Sequence, residues 1–316
     1  MSRFLPTPPT DRWGRALAAM GVAATGVAAG ALVAGRSGLA GYLKGARTLG
    51  SSWSTVPGIA GAAPLRVHAR FSARRDSDQP SLVLVPGYAI GGSYLMPLAG
   101  TLAGSAPVYV VDLPGHGESD HDARPLAIPE LAEALAAWLT ANGLLHVVLV
   151  AHSNGCQIAA EVSQRHPDLV AGLVLIGPTS DPTARTPRRQ LFRGALASLL
   201  DRPSYLFWGA VDYPRAGRPV LRKELRDMVG HRIEDVLPAL TIPVRVIRGG
   251  LDLLVPRDWA AAVAAAAGAP PPVDVGWWGH AVHYDSAPRV ADAVLELAST
   301  ALTTPPRQPA VARVDA

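Results

Sequence analysis

Residues Val148 to Gln157 read Val-Leu-Val-Ala-His-Ser-Asn-Gly-Cys-Gln. The run His146 to Val150 reads as a strand buried on both faces, and Cys156 to Arg165 reads as a helix. Ser153 stands at the junction, with His152 before it and Asn154 and Gly155 after it. A strand, a tight turn carrying one serine and then a helix make a nucleophile elbow, which lifts the hydroxyl clear of the sheet. Small residues on either side let strand and helix pack closely. Ala151 and Gly155 hold the places that G-x-S-x-G gives to two glycines, and alanine at the first adds only a methyl group.

A lone serine hydroxyl is a weak nucleophile, so the motif demands a base and an acid to orient it. On such a sheet the partners follow in the order Ser, acid, His. Downstream, Pro243 to Arg248 reads as a strand and leads into Gly249-Gly250-Leu251-Asp252. Pro272 to Trp278 reads as a last strand and leads into Gly279-His280. Ser153, Asp252 and His280 thus each lie just past the C-terminal end of an expected strand. In a parallel sheet those ends share one edge, where the three can converge.

In these pieces the chain resembles the α/β-hydrolase fold superfamily. The resemblance rests on Pro86-Gly87-Tyr88, Asp112 to Ser119, His152 to Gly155, Arg248 to Pro256 and Gly279-His280. It covers about Ala62 to Leu302. It departs from the family pattern at Pro86, where many members carry His, and at Ala151. The resemblance implies a mostly parallel central sheet with helices on both faces and a helical cap inserted at about 180–240. It implies Ser153 as nucleophile, His280 as base and Asp252 as orienting acid, with the backbone N–H groups of Tyr88 and Asn154 as oxyanion donors. His283 competes with His280, but Gly279-His280 matches the family position. Asp181 competes with Asp252, because some relatives place the acid after that strand. Asp252 also has an ordinary reading as a helix N-cap.

The expected activity is hydrolysis of a small, hydrophobic, ester-like substrate through an acyl-enzyme. No cofactor and no metal site are expected. Relatives with near-identical triads also hydrolyse carbon–carbon bonds of diketones and dienoates or act as cofactor-free haloperoxidases, and a ligand-binding protein could keep the same fold. Discrimination falls to the substrate that turns over and to the effect of Ser153→Ala.

Composition narrows the classes further. The chain has 316 residues, 49% of them hydrophobic, enough for a core on both faces of one sheet. The net charge is only +4 and the arginines are scattered, so nucleic acid is not an expected partner. Cys156, the single cysteine, excludes an internal disulfide framework and a zinc ribbon. Gly115 and Gly117 do not complete G-x-G-x-x-G, since the third place holds Asp120.

Before the resemblance begins, Ala16 to Gly35 carries no charge and is about long enough to cross a bilayer. Three readings compete for it within a leader of residues 1–50. They are a membrane anchor, a cleaved signal peptide with small residues at Ala29 to Ala31, and a helix docked on the protein or a poorly ordered leader. Membrane association or export follows from the first two, and a cytoplasmic protein from the third. Gly45 to Ala63 reads as a linker. Leu65 to Ser72 alternates as an antiparallel strand, followed by strands at Ser81 to Val85, Val108 to Val111 and Leu173 to Ile176. Helices are expected at Ile128 to Leu139, Gln190 to Leu200, Val220 to Val229, Trp259 to Ala267 and Asp285 to Thr300. The tail 303–316, Pro-rich and polar, is expected to be disordered.

Overall fold

The computed structural model describes residues 43, 45–72 and 79–303. The uncharged segment 16–35 lies outside the described residues, as does the tail from 304. Among the described residues no helix is long and apolar enough to cross a membrane.

Among the described residues, eight strands form one sheet. They are β1 (Leu49–Val56), β2 (Leu65–Ser72), β3 (Leu82–Val85), β4 (Val108–Val111), β5 (Val147–His152), β6 (Val170–Ile176), β7 (Val244–Gly249) and β8 (Val273–Val275). Their order across the sheet is β1-β2-β4-β3-β5-β6-β7-β8. The pairs β1·β2 and β2·β4 are antiparallel, and every pair from β4 onward is parallel. The expected mostly parallel α/β sheet is therefore observed.

The principal helices among the described residues are α1 (Met96–Leu102), α2 (Ile128–Ala141), α3 (Gly155–Arg165), α4 (Pro187–Ser198), α5 (Pro203–Gly230), α6 (Arg257–Ala266) and α7 (Ala287–Thr303). Side chains of successive strand residues alternate between two apolar layers. Val83, Val85, Val147, Leu149 and Ala151 join Leu131, Leu135, Trp138, Ile158, Val162 and Val263 from α2, α3 and α6. Leu82, Leu84, Val148 and Val150 join Met96, Leu98, Leu102, Val290, Val294 and Leu297 from α1 and α7. The period of two along the central strands thus feeds two cores, which is why those strands are apolar without a break. Each such large side chain contributes about 1.5–3 kcal/mol by leaving water.

The structure corrects the linker expectation for Gly45 to Ala63. Leu49–Val56 pairs along its whole length with β2. Its sequence, LGSSWSTV, is mostly small and polar because it is an edge strand with most of its residues half or fully exposed. Trp53 stacks over the Arg66 guanidinium rather than entering the core. The sheet therefore begins before Ala62. The last strand is shorter than expected, three residues instead of seven.

Between β6 and β7 the chain inserts α4 and α5. The second is interrupted at Gly217, whose φ of 77° breaks the helix between Pro214 and Pro219.

Candidate active site

The elbow is strained where the sequence predicts. Ser153 has φ 54°, in the left-handed region that L residues other than Gly rarely adopt. Helix α3 starts at once behind it. A Cβ on Gly155 would lie 2.3 Å from the carbonyl oxygen of Pro86, so only glycine fits between the helix and β3. Ala151 is accommodated in full burial. The Cys156 thiol packs behind the turn, its Sγ 3.3 Å from the carbonyl oxygen of Ala151, and burial raises its pKa.

Asp252 lies in the loop after β7 and His280 in the loop after β8. Nδ1 of His280 is 2.8 Å from Oδ2 of Asp252, and both residues are buried. The other carboxylate oxygen of Asp252 accepts from the N–H groups of Leu254 (2.8 Å) and Val255 (3.0 Å). Asp252 thus caps its own turn and orients the imidazole with the same carboxylate. Gly177, after β6, leaves the room this pair needs, since a Cβ there would lie 3.0–3.1 Å from the imidazole ring. With Nδ1 bonded to Asp252, the proton of neutral His280 sits on Nδ1 and Nε2 is left as the acceptor. Nε2 is buried and has no hydrogen-bond partner among the described residues. Burial pushes the His280 pKa down, but the charge and hydrogen bond of Asp252, then the charge of Asp201, push it up further. The net shift is upward.

The two competitors make other contacts. Asp181 accepts from the N–H (2.9 Å) and hydroxyl (2.7 Å) of Thr183 and pairs with Arg193. It serves the start of the insertion. His283 sits in the single turn Val282–Asp285, fully buried, with its ring 4.1 Å from that of His152. Burial, then the proximity of His280, hold its pKa well below the usual range.

Tyr88 and Asn154 flank the elbow from two sides. Around Tyr88 the backbone N–H groups are used in turn. Gly87 donates to Tyr94 Oη (2.8 Å), Ala89 to Glu224 (2.8 Å), Gly91 to Asp212 (2.9 Å) and Gly92 to Asp112 (2.6 Å). No such bond involves the N–H of Tyr88 or of Asn154 among the described residues. The close approach of the loop to the elbow is fixed at Gly87, where a Cβ would lie 3.2 Å from that of Ser153. The Tyr88 side chain turns away, its hydroxyl donating to the Leu221 carbonyl of α5 at 2.6 Å.

Several contributors have no local sequence signal. Asp201, between α4 and α5, accepts from the N–H of Ala281 at 3.0 Å and so reaches the His280 loop from the insertion. Burial raises its pKa to about 6. Tyr94 and His152 connect the surrounding loops, and Glu224 of α5 pairs with buried His116 of the Gly115-His116-Gly117 loop.

A profile of the alpha/beta hydrolase fold family matches residues 80–204. A pimeloyl-[acyl-carrier protein] methyl ester esterase of Xanthomonas campestris pv. campestris is 38% identical over 100 residues, 32% of this chain and 37% of that protein. The chain therefore spans little more than a third of the length of that relative. RutD of Escherichia coli O157:H7, provisionally described as a carbamate hydrolase, is 26% identical over 213 residues, 60% of this chain and 80% of RutD. The solved structure of a thermophilic esterase from Thermogutta terrifontis superposes with a TM-score of 0.67 at 20% identity, covering 80% of this chain and 100% of that one.

Proposed function

We propose that this chain, which belongs to the α/β-hydrolase superfamily, is a serine hydrolase of carboxylic esters. The observation that carries the reading is the buried His280–Asp252 pair, with its Nε2 unpartnered at the sheet edge that also holds Ser153. In this account His280 takes the Ser153 proton as the hydroxyl attacks the ester carbonyl, and Asp252 stabilises the resulting imidazolium. The N–H groups of Tyr88 and Asn154 receive the developing oxyanion, each worth about 2.7–4 kcal/mol in the transition state. His280 then gives its proton to the departing alcohol. The acyl-enzyme is cleared by water activated through the same imidazole.

The insertion acts as a cap. Tyr205 of α5 lies edge-on to Tyr94 (5.6 Å), and Tyr213 lies 5.9 Å from Tyr88. These rings favour an apolar acyl or alcohol group. Methyl-ester cleavage by the Xanthomonas relative supports the reaction class.

A panel of p-nitrophenyl esters of increasing acyl length, run beside a dienoate, tests the proposal. Ester turnover by wild type and its loss in Ser153→Ala, on the order of 10³-fold or more, are expected. Dienoate turnover without ester turnover would move the reading to carbon–carbon hydrolysis. Full ester turnover in Ser153→Ala would remove Ser153 as nucleophile.

A further inference from the structure

Three buried hydrogen bonds run in line behind the site. Gly87 N–H donates to Tyr94 Oη at 2.8 Å, Tyr94 Oη lies 3.0 Å from Nδ1 of His152, and Nε2 of His152 lies 3.3 Å from the carbonyl oxygen of His280. The direction is fixed at both ends, because an amide N–H only donates and a carbonyl oxygen only accepts. Tyr94 therefore accepts from Gly87 and places its own proton on the His152 Nδ1 lone pair. His152 carries its single ring proton on Nε2 and donates it to His280. The neutral imidazole this requires is also the form its surroundings favour. Burial, then the neighbouring His283 and His280, hold its pKa well below the usual range. The Tyr94 ring is fully buried and meets the rings of His152 and His283 edge-on.

The chain joins three loops that come from three different strands. Gly87 follows β3 and directly precedes Tyr88. His152 is the last residue of β5 and directly precedes Ser153. His280 follows β8. We propose that Tyr94 and His152 are positioning residues that lock the oxyanion loop and the loop of the base to the elbow, fixing the spacing of the Tyr88 N–H, Ser153 and His280. This rests on the serine-hydrolase reading. Neither residue touches the substrate; both act through backbone groups beside those that do. The geometry matters because a misplacement of about 1 Å in such a constellation can cost on the order of 10²-fold in rate.

The test uses the full-length protein and the variants Tyr94→Phe, His152→Phe and the double variant, each keeping a ring while removing the hydrogen bonds. Readouts are kcat and KM on a turned-over ester, the inhibition constant of a trifluoromethyl ketone that forms a tetrahedral adduct, thermal melting, and fluorophosphonate labelling mapped to Ser153. Each single variant is expected to lower kcat by roughly ten- to a hundredfold with KM unchanged. The inhibition constant should rise by a similar factor while Ser153 is still labelled to completion. The double variant should be no worse than the poorer single, because one break already severs the line.

Lower melting temperatures with unchanged kcat per labelled site would reduce the pair to packing and overturn the proposal. So would losses that multiply in the double variant, or an effect confined to KM. Should His152→Phe not fold, the Tyr94→Phe comparison alone decides between these outcomes. Absence of Ser153 labelling on folded wild type would instead remove the serine-hydrolase reading, and this proposal with it.

Discussion

At the proposed base, two carboxylates act on one imidazole from opposite sides of the chain. Asp252 binds Nδ1 directly, and Asp201 approaches from the insertion through the N–H of Ala281. Burial alone would lower the His280 pKa, but the charge of Asp252 and then that of Asp201 outweigh it. A general base works only when neutral, so the acid limb of kcat/KM is expected above the ordinary histidine value of about 6.5. Asp201→Asn keeps an oxygen for the Ala281 N–H and removes the charge. It should therefore move that limb to lower pH, which a pH–rate profile measures; an unmoved or raised limb would contradict the assignment. Asp252→Asn presents the wrong tautomer to Ser153 and should cost on the order of 10⁴ in kcat. Ser153 and Gly155 are legible from sequence because their constraint is local: one strained turn with one helix start behind it. Asp201 is not, because its meaning depends on Ala281, far along the chain in another loop.

Helix α5 is clasped to the loop that follows β3 by groups that are nearly all buried. Tyr88 donates to the Leu221 carbonyl, Ala89 N–H to Glu224 and Gly91 N–H to Asp212, while Glu224 also pairs with His116. Glu224→Ala would leave the His116 charge and the Ala89 N–H without a partner inside the protein. Breaking a buried pair in this way costs about 3–5 kcal/mol, readable by urea unfolding. The pH dependence has a definite sign. Burial lowers the His116 pKa, but the charge and hydrogen bond of Glu224 and the neighbouring carbonyls raise it more, so the folded value lies above the unfolded one. Its contribution to stability is therefore complete below about pH 6.5 and is lost as pH rises through the folded pKa. Unfolding free energy is expected to decline as pH rises above about 6.5 in wild type and to decline less in Glu224→Gln. An equal slope in both would detach the clasp from this pair. Apolar, continuous β5 and β6 are legible in sequence because burial on both faces dictates their composition. The edge strand β1 is not, since Gly50, Ser51, Ser52 and Ser54 satisfy a half-exposed ribbon without leaving a pattern. Glu224 is equally silent, lying 135 residues from the amide it holds.

Across the whole molecule, the sheet carries helices on both faces and brings the ends of β3, β5, β7 and β8 to one edge, so the proposed site depends on strand order more than on any one loop. Among the described residues the sheet begins at Leu49, beyond residues 1–42. Deletion of residues 1–42 is expected to leave kcat per labelled serine unchanged, and a large loss would show that the segment takes part in building the site. Core truncation should act globally. Trp138→Ala on α2, at 2% exposure, is expected to cost about 3–5 kcal/mol in urea unfolding, with kcat of the folded fraction retained. Intact-mass detection of fluorophosphonate labelling on wild type and Ser153→Ala decides whether the elbow carries an activated serine. One adduct on wild type, mapped to Ser153, and none on Ser153→Ala are expected. No adduct on folded wild type, or an adduct that survives Ser153→Ala, would contradict an activated Ser153.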